Sequence, residues 1–169
     1  QTQLEINQVG AHFGLSVAGA GDVNGDGYSD VIVGANWFDN GQSDEGAAFV
    51  YHGSAAGITT TVKAQLEGNQ VLAQMGQCVN SAGDVNGDGY SDVIVGAINL
   101  GAAFIFHGST TGINTTRQAQ LENGQSSTQM GISVASAGDV NGDGYSDVIV
   151  GANFFVNGQT DEGAAFLFH

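Results

Sequence analysis

Three times along the chain, oxygen-bearing side chains stand at positions 1, 3, 5 and 9 of a nine-residue segment. The sets are Asp22, Asn24, Asp26 and Asp30, then Asp84, Asn86, Asp88 and Asp92, then Asp139, Asn141, Asp143 and Asp147. Glycines at positions 4 and 6 permit the sharp turn that points those oxygens inward. Oxygen donors at this spacing suit a hard cation of calcium's size, with the carbonyl of position 7 (Tyr28, Tyr90 or Tyr145) as a further ligand and water completing the shell. The pattern therefore predicts Ca2+, about three ions per chain. Nine of the 17 acidic residues sit in these segments, and three dications would bring the formal charge from −15 to −9, easing the repulsion that empty loops impose.

A plain tight turn is the simpler reading of Asn-Gly-Asp-Gly. A turn needs only two such residues, however, and makes no use of carboxylates at positions 1, 5 and 9 in three copies. An EF-hand would want a bidentate Glu at position 12 between two helices. That position holds Val33, Val95 and Val150, each within an apolar run of strand character.

The elements that must hold these loops follow from the repetition. The first aspartates of successive copies are 62 and 55 residues apart, and Gly-Ala-Ala-Phe (from Gly46, Gly101 and Gly163) and Gln-Leu-Glu (from Gln3, Gln65 and Gln120) keep the same step. The difference in period falls between the second and third runs of the unit, where Asp30 to Gly46 is 16 residues and Asp92 to Gly101 is 9. Each unit carries four short strand-like runs separated by Gly/Asn/Asp/Ser clusters, with no sustained helical period. In the first unit these are residues 13–18, 30–34, 48–52 and 62–67, or strands A to D. B is apolar throughout and D the most polar, so burial should fall from B outward to D. The expected architecture is all-β: a β-propeller segment over residues 1–169, with three four-stranded blades at 9–67, 71–122 and 126–169. Residues 2–5 match strand D and residues 165–169 match strand C, so the order is D-ABCD-ABCD-ABC. Three blades are too few to close a ring, which takes about four to eight.

Composition excludes several functions. Lys63 and Arg117 are the only two cations, too few to hold a phosphate backbone or an anionic membrane surface, and no apolar run approaches the length of a membrane span. The expectation is no nucleic acid and no membrane insertion. Cys78, the single cysteine, occupies the place of Ser16 and Ser133 and reads as a small filler. His52, His107 and His169 recur once per unit at the end of strand C, which spreads them apart and argues for a structural position. No Ser/His/Asp or paired-carboxylate arrangement appears outside the loops, so no enzymatic activity is expected.

Phe13-Gly14, the loop at residues 22–30 and Gly34-Ala35, repeated in order along the chain, resemble the FG-GAP repeats of integrin alpha-subunit propellers. Met75 and Met130 replace the Phe, and Asn36, Ile98 and Asn153 the Pro, of the family's pattern. The resemblance covers nearly the whole chain. It implies a propeller that binds calcium in its A–B loops and serves extracellular or cell-surface adhesion or ligand recognition.

Two partner readings follow. Antiparallel order puts the long B–C loops on the face away from the calcium loops, where Trp37, Phe38, Asp39, Phe154 and Phe155 could hold a protein or glycan ligand. The competing reading is that Trp37 and Phe154 pack between blades, and a purely structural, self-assembling repeat is the remaining alternative. The second partner is the chain itself. The unpaired strand C near Phe166 and the detached strand D near Leu4 suggest a head-to-tail homodimer, a six-bladed ring in which residues 1–6 of one chain complete the third blade of the other.

Overall fold

The fold was read from a computed structural model, which describes residues 1–125 and 127–169; Ser126, the first residue of the expected third blade, lies outside the described residues. Eleven strands and no helix form among these residues. The first sheet runs β1 (Ser16–Gly21), β2 (Asp30–Ala35), β3 (Ala47–Tyr51), β4 (Ala64–Glu67), and the second β5 (Met75–Gly83), β6 (Asp92–Ala97), β7 (Ala102–Phe106), β8 (Ala119–Glu122). The third holds three strands, β9 (Ser133–Gly138), β10 (Asp147–Ala152) and β11 (Ala164–Phe168), with β10 in the middle. Every neighbouring pair within a sheet is antiparallel. The all-β architecture of successive propeller blades expected from the repeats is therefore present.

Val-Ile-Val in β2, β6 and β10 explains why these strands form the middle of each sheet, since β-branched side chains pack well on both faces of a covered sheet. Burial does not simply fall from B outward. In the second blade β6 and β7 are buried along their whole length, and in the first blade β3 is as deep as β2. The first strand of each blade packs beside that of the next, β1 against β5 and β5 against β9, which places the propeller axis along this row. One apolar cluster, including Ile32, Val50, Leu66, Val79, Val93 and Phe104, joins blades one and two. Another, including Ile94, Ile105, Met130, Val134 and Val148, joins blades two and three.

Two strand boundaries differ from the sequence expectation. Strand A of the first blade starts at Ser16, not at Phe13, because His12 and Gly14 have positive φ (55° and 89°) and Leu15 N–H donates to the His12 carbonyl, making a turn of that stretch. Residues 2–5 form no strand, since the edge they would match, that of β11, is on the opposite end of the arc.

The blades meet so closely that some positions admit no side chain. A Cβ placed on Gly34 would lie 2.1 Å from the Gly76 carbonyl oxygen, and one on Gly96 1.9 Å from that of Gly131. Because backbone, not a flexible side chain, stands in the way, Gly96→Ala must push blades two and three apart. We expect it to cost about 3 kcal/mol, near the upper end of overpacking effects, visible as a lower midpoint in urea unfolding.

Candidate functional site

Each A–B loop turns on its first aspartate. Asp22 Oδ1 accepts from Gly25 N (2.7 Å) and Asp26 N (3.1 Å), and its Oδ2 accepts from Gly27 N (2.8 Å). Gly25 and Gly27 take φ of 72° and 88°, a conformation that a side chain would strain. Asn24 Oδ1 accepts from Asp26 N, its Nδ2 donates to Asp26 Oδ2 at 2.9 Å, and Asp26 Oδ1 accepts from Tyr28 N. The second and third loops repeat the pattern with Asp84, Asn86 and Asp88 and with Asp139, Asn141 and Asp143. Positions 1, 3 and 5 are thus gathered in one solvent-facing turn. The amide of Tyr145, followed by the Asn141 side chain, holds the Asp143 carboxyl below the usual carboxylate range.

The ninth position behaves differently. Asp30 is fully buried; its Oδ2 accepts from Val23 N (2.9 Å) and its Oδ1 from Gly53 N (2.8 Å), where the chain leaves β3. Asp92 makes the same pair of bonds to Val85 N and Gly108 N, both 2.8 Å. Burial pushes the Asp92 carboxyl up, and the two amide bonds oppose that shift. In the third blade Asp147 Oδ2 accepts from Val140 N, and its Oδ1 faces His169 Nδ1 at 3.3 Å. The aspartate at position 9 therefore ties both ends of the loop to the sheet, a task that the loop's own spacing does not reveal.

The histidines at the end of strand C also have a place here. His52 Nδ1 lies 3.1 Å from Asn24 Nδ2, and His107 Nδ1 lies 3.1 Å from Asn86 Nδ2. The signal was present in the repeats: β3 pairs with β2 in the register Val31 to Tyr51, which carries the next residue, His52, to the loop's exit at Asp30.

Among the described residues no three His, Cys, Asp or Glu side chains converge in metal-binding geometry. Each turn does collect two carboxylates and a side-chain amide oxygen at positions 1, 3 and 5. Both cations of the chain lie on other segments, with the Arg117 guanidinium 4.9 Å above the Phe104 ring. Oxygen-only donors with uncompensated negative charge fit a hard cation, and the position-9 oxygens, each with two lone pairs, retain acceptor capacity.

At the opposite ends of the strands lie the long B–C loops. Trp37 is 43 % exposed and stacks on His12 with ring centroids 4.2 Å apart, and Phe154 is 40 % exposed. Their neighbours turn inward: Phe38 packs edge-on against Phe49 (5.2 Å) and Phe155 against Phe166 (5.0 Å). Asp39 Oδ1 closes the first loop by accepting from Asp44 N at 2.6 Å. Of the five aromatic and acidic candidates, Trp37, Asp39 and Phe154 are thus presented to solvent, while Phe38 and Phe155 anchor the loops.

Comparison with known proteins agrees with this arrangement. The FG-GAP repeat family matches residues 13–51 and the FG-GAP-like repeat family residues 84–150. The chain is 33 % identical over 153 residues to integrin alpha-4 of Xenopus laevis (86 % of this chain, 15 % of that protein) and 38 % identical over 143 residues to human integrin alpha-6 (83 % and 12 %). It is 34 % identical over 159 residues to integrin alpha-V of Gallus gallus (86 % and 15 %). The chain spans less than a sixth of the length of these relatives. The matched segments and the integrin relatives together show that the chain carries FG-GAP repeats like those of integrin alpha subunits.

Proposed function

We propose that the protein is a non-enzymatic, calcium-stabilised propeller module for extracellular protein binding or cell adhesion. The observation that carries the proposal is the threefold gathering of position-1, -3 and -5 oxygens in solvent-facing turns at one end of the blades. Calcium is held by Asp22, Asn24, Asp26 and Asp30, with the Tyr28 carbonyl, and by the corresponding residues of the other two loops, one ion each. It supplies charge compensation and a rigid turn. The exposed Trp37 and Phe154 on the opposite face meet the ligand, because loops on a rigid scaffold commonly carry recognition. No helix of the described residues is long and apolar enough to cross a membrane. The resemblance to integrin alpha subunits supports an extracellular setting for the module.

Calorimetric titration is expected to give about three calcium ions per chain, and Asp26→Ala about two. Indifference to calcium would refute the cation part of the proposal. Panels of extracellular-matrix proteins and of glycans, probed in calcium and in chelator, test the rest. Capture of a matrix protein that weakens about tenfold or more in Trp37→Ala, the loss of one buried aromatic contact, is the expected result. Selective glycan capture would make the protein a lectin instead.

A further inference from the structure

The strand-C histidines of the first two blades each stand against a proposed ligand of their own loop. We infer that His52 and His107 are positioning residues of the calcium sites, holding the side-chain amides of Asn24 and Asn86 so that the amide oxygens are the atoms offered to the ion. The inference rests on the calcium reading above and adds to it two residues that do not themselves touch the cation.

The backbone fixes each imidazole before its side-chain contact is made. β3 ends with Tyr51 paired to Val31 and β7 with Phe106 paired to Val93, so His52 and His107 are the first residues past each strand, beside the exit of the loop. The His52 carbonyl accepts from Thr59 N and the His107 carbonyl from Asn114 N, both at 2.9 Å. The residue after each histidine is tied as well, since Gly53 N and Gly108 N donate to the buried carboxylates of Asp30 and Asp92. Each histidine is thus held on both sides, once by the position-9 aspartate of the loop it serves. Behind the His52 ring lies blade two: a Cβ on Gly112 would be 3.0 Å from both Cε1 and Nε2, which leaves the ring no room to swing away.

In front of the ring is the amide. Nδ1 of His52 lies 3.1 Å from Asn24 Nδ2, and Nδ1 of His107 the same distance from Asn86 Nδ2. A side-chain amide can be turned over, exchanging oxygen and nitrogen, and its hydrogen-bond partners decide between the two orientations. Asp26 N is a donor and takes Asn24 Oδ1, so Nδ2 faces the ring, its two hydrogens serving Asp26 Oδ2 and His52 Nδ1. Nδ1 is then the acceptor and the ring proton sits on Nε2. Turned over, the amide would set its NH2 against the Asp26 N–H and its oxygen against the Nδ1 lone pair. The same reasoning holds for Asn86 between Asp88 N and His107. His52 Nε2 is buried without a partner, a local loss of the kind that proteins tolerate at functional sites.

One lone pair of Asn24 Oδ1 serves Asp26 N, and the second is what the amide offers a hard cation. A partner that holds a metal ligand in one orientation raises affinity without touching the metal, and losing such a partner weakens binding about 10–100-fold. In the third blade His169 faces Asp147 Oδ1 (3.3 Å), so the inference is confined to the first two loops.

Calorimetric titration of the full chain with calcium tests this. His107→Leu is expected to leave two sites as they are in the wild type and to weaken the remaining one about 10–100-fold, with the circular dichroism and chelator melting of a folded protein. His107→Asn, whose side-chain oxygen stands as far from the backbone as Nδ1, should recover most of the affinity, whereas His107→Gln, which reaches one carbon further, should not. This pair of polar variants decides the matter even where His107→Leu fails to fold. In an Asn86→Ala background, His107→Leu should change calcium affinity by less than about twofold, because a residue that acts through Asn86 has nothing left to hold. Wild-type affinity in His107→Leu, equal affinity of the Asn and Gln variants, or additive losses in the double variant would overturn the inference. A wild type indifferent to calcium would overturn the cation reading itself and this inference with it.

Discussion

Chelation is expected to lower the melting temperature by about 20 °C. A ligand at 100 times its dissociation constant stabilises by about 2.7 kcal/mol per site, so three sites contribute roughly 8 kcal/mol. For a chain of this size each kcal/mol moves the transition by about 2–4 °C. The physical source is charge. Without a cation each loop holds Asp22 and Asp26, or their equivalents, in one turn beside the buried Asp30, and only backbone amides and the Asn24 side-chain amide, or its equivalents, oppose their repulsion. Scanning calorimetry with calcium, with magnesium and with chelator measures the effect. Asp88→Ala should remove about a third of the calcium-dependent shift and change little in chelator. A melting curve that ignores chelator would show that the loops hold themselves by hydrogen bonds alone.

The second large effect is expected at Asp92, and it separates the two tasks of the ninth position. Asp92→Ala leaves Val85 N and Gly108 N without a partner in a buried place, and an unsatisfied buried donor costs about 1–3 kcal/mol. Two such donors give a loss of roughly 4 kcal/mol. Because those amides need the carboxylate whether or not an ion is bound, most of the loss should persist in chelator. Urea unfolding of Asp92→Ala and Asp88→Ala, each with and without calcium, checks this. If Asp92→Ala costs stability only when calcium is present, the carboxylate is a ligand and not a clasp.

Much of the molecule was legible without coordinates because it is written locally. Each loop and the strand runs that follow it lie within one repeat of 62 or 55 residues, and each unit confirms the last. Val-Ile-Val after each loop marks the central strand, since a run of β-branched residues suits a sheet covered on both faces. The start of strand A was less legible. His12 carries a positive φ that its residue type does not announce, and the turn it makes delays β1 to Ser16. The split within each aromatic pair, Trp37 and Phe154 outward but Phe38 and Phe155 inward, likewise depends on which side of the loop meets the sheet.

By itself the sequence determined which residues gather in each loop, because positions 1, 3 and 5 are joined by a single turn whose glycines and aspartates need no help from elsewhere. Only the tertiary structure decided what Asp30, His52 and the glycines at blade joints do. Their partners are Gly53 N, Asn24 and the Gly76 carbonyl, brought close by strand pairing and by the stacking of one sheet on the next. Local pattern specifies the conformation of a segment. It does not specify which distant backbone comes to rest within hydrogen-bonding or van der Waals reach, since that is set by the closest packing the sheets can achieve together.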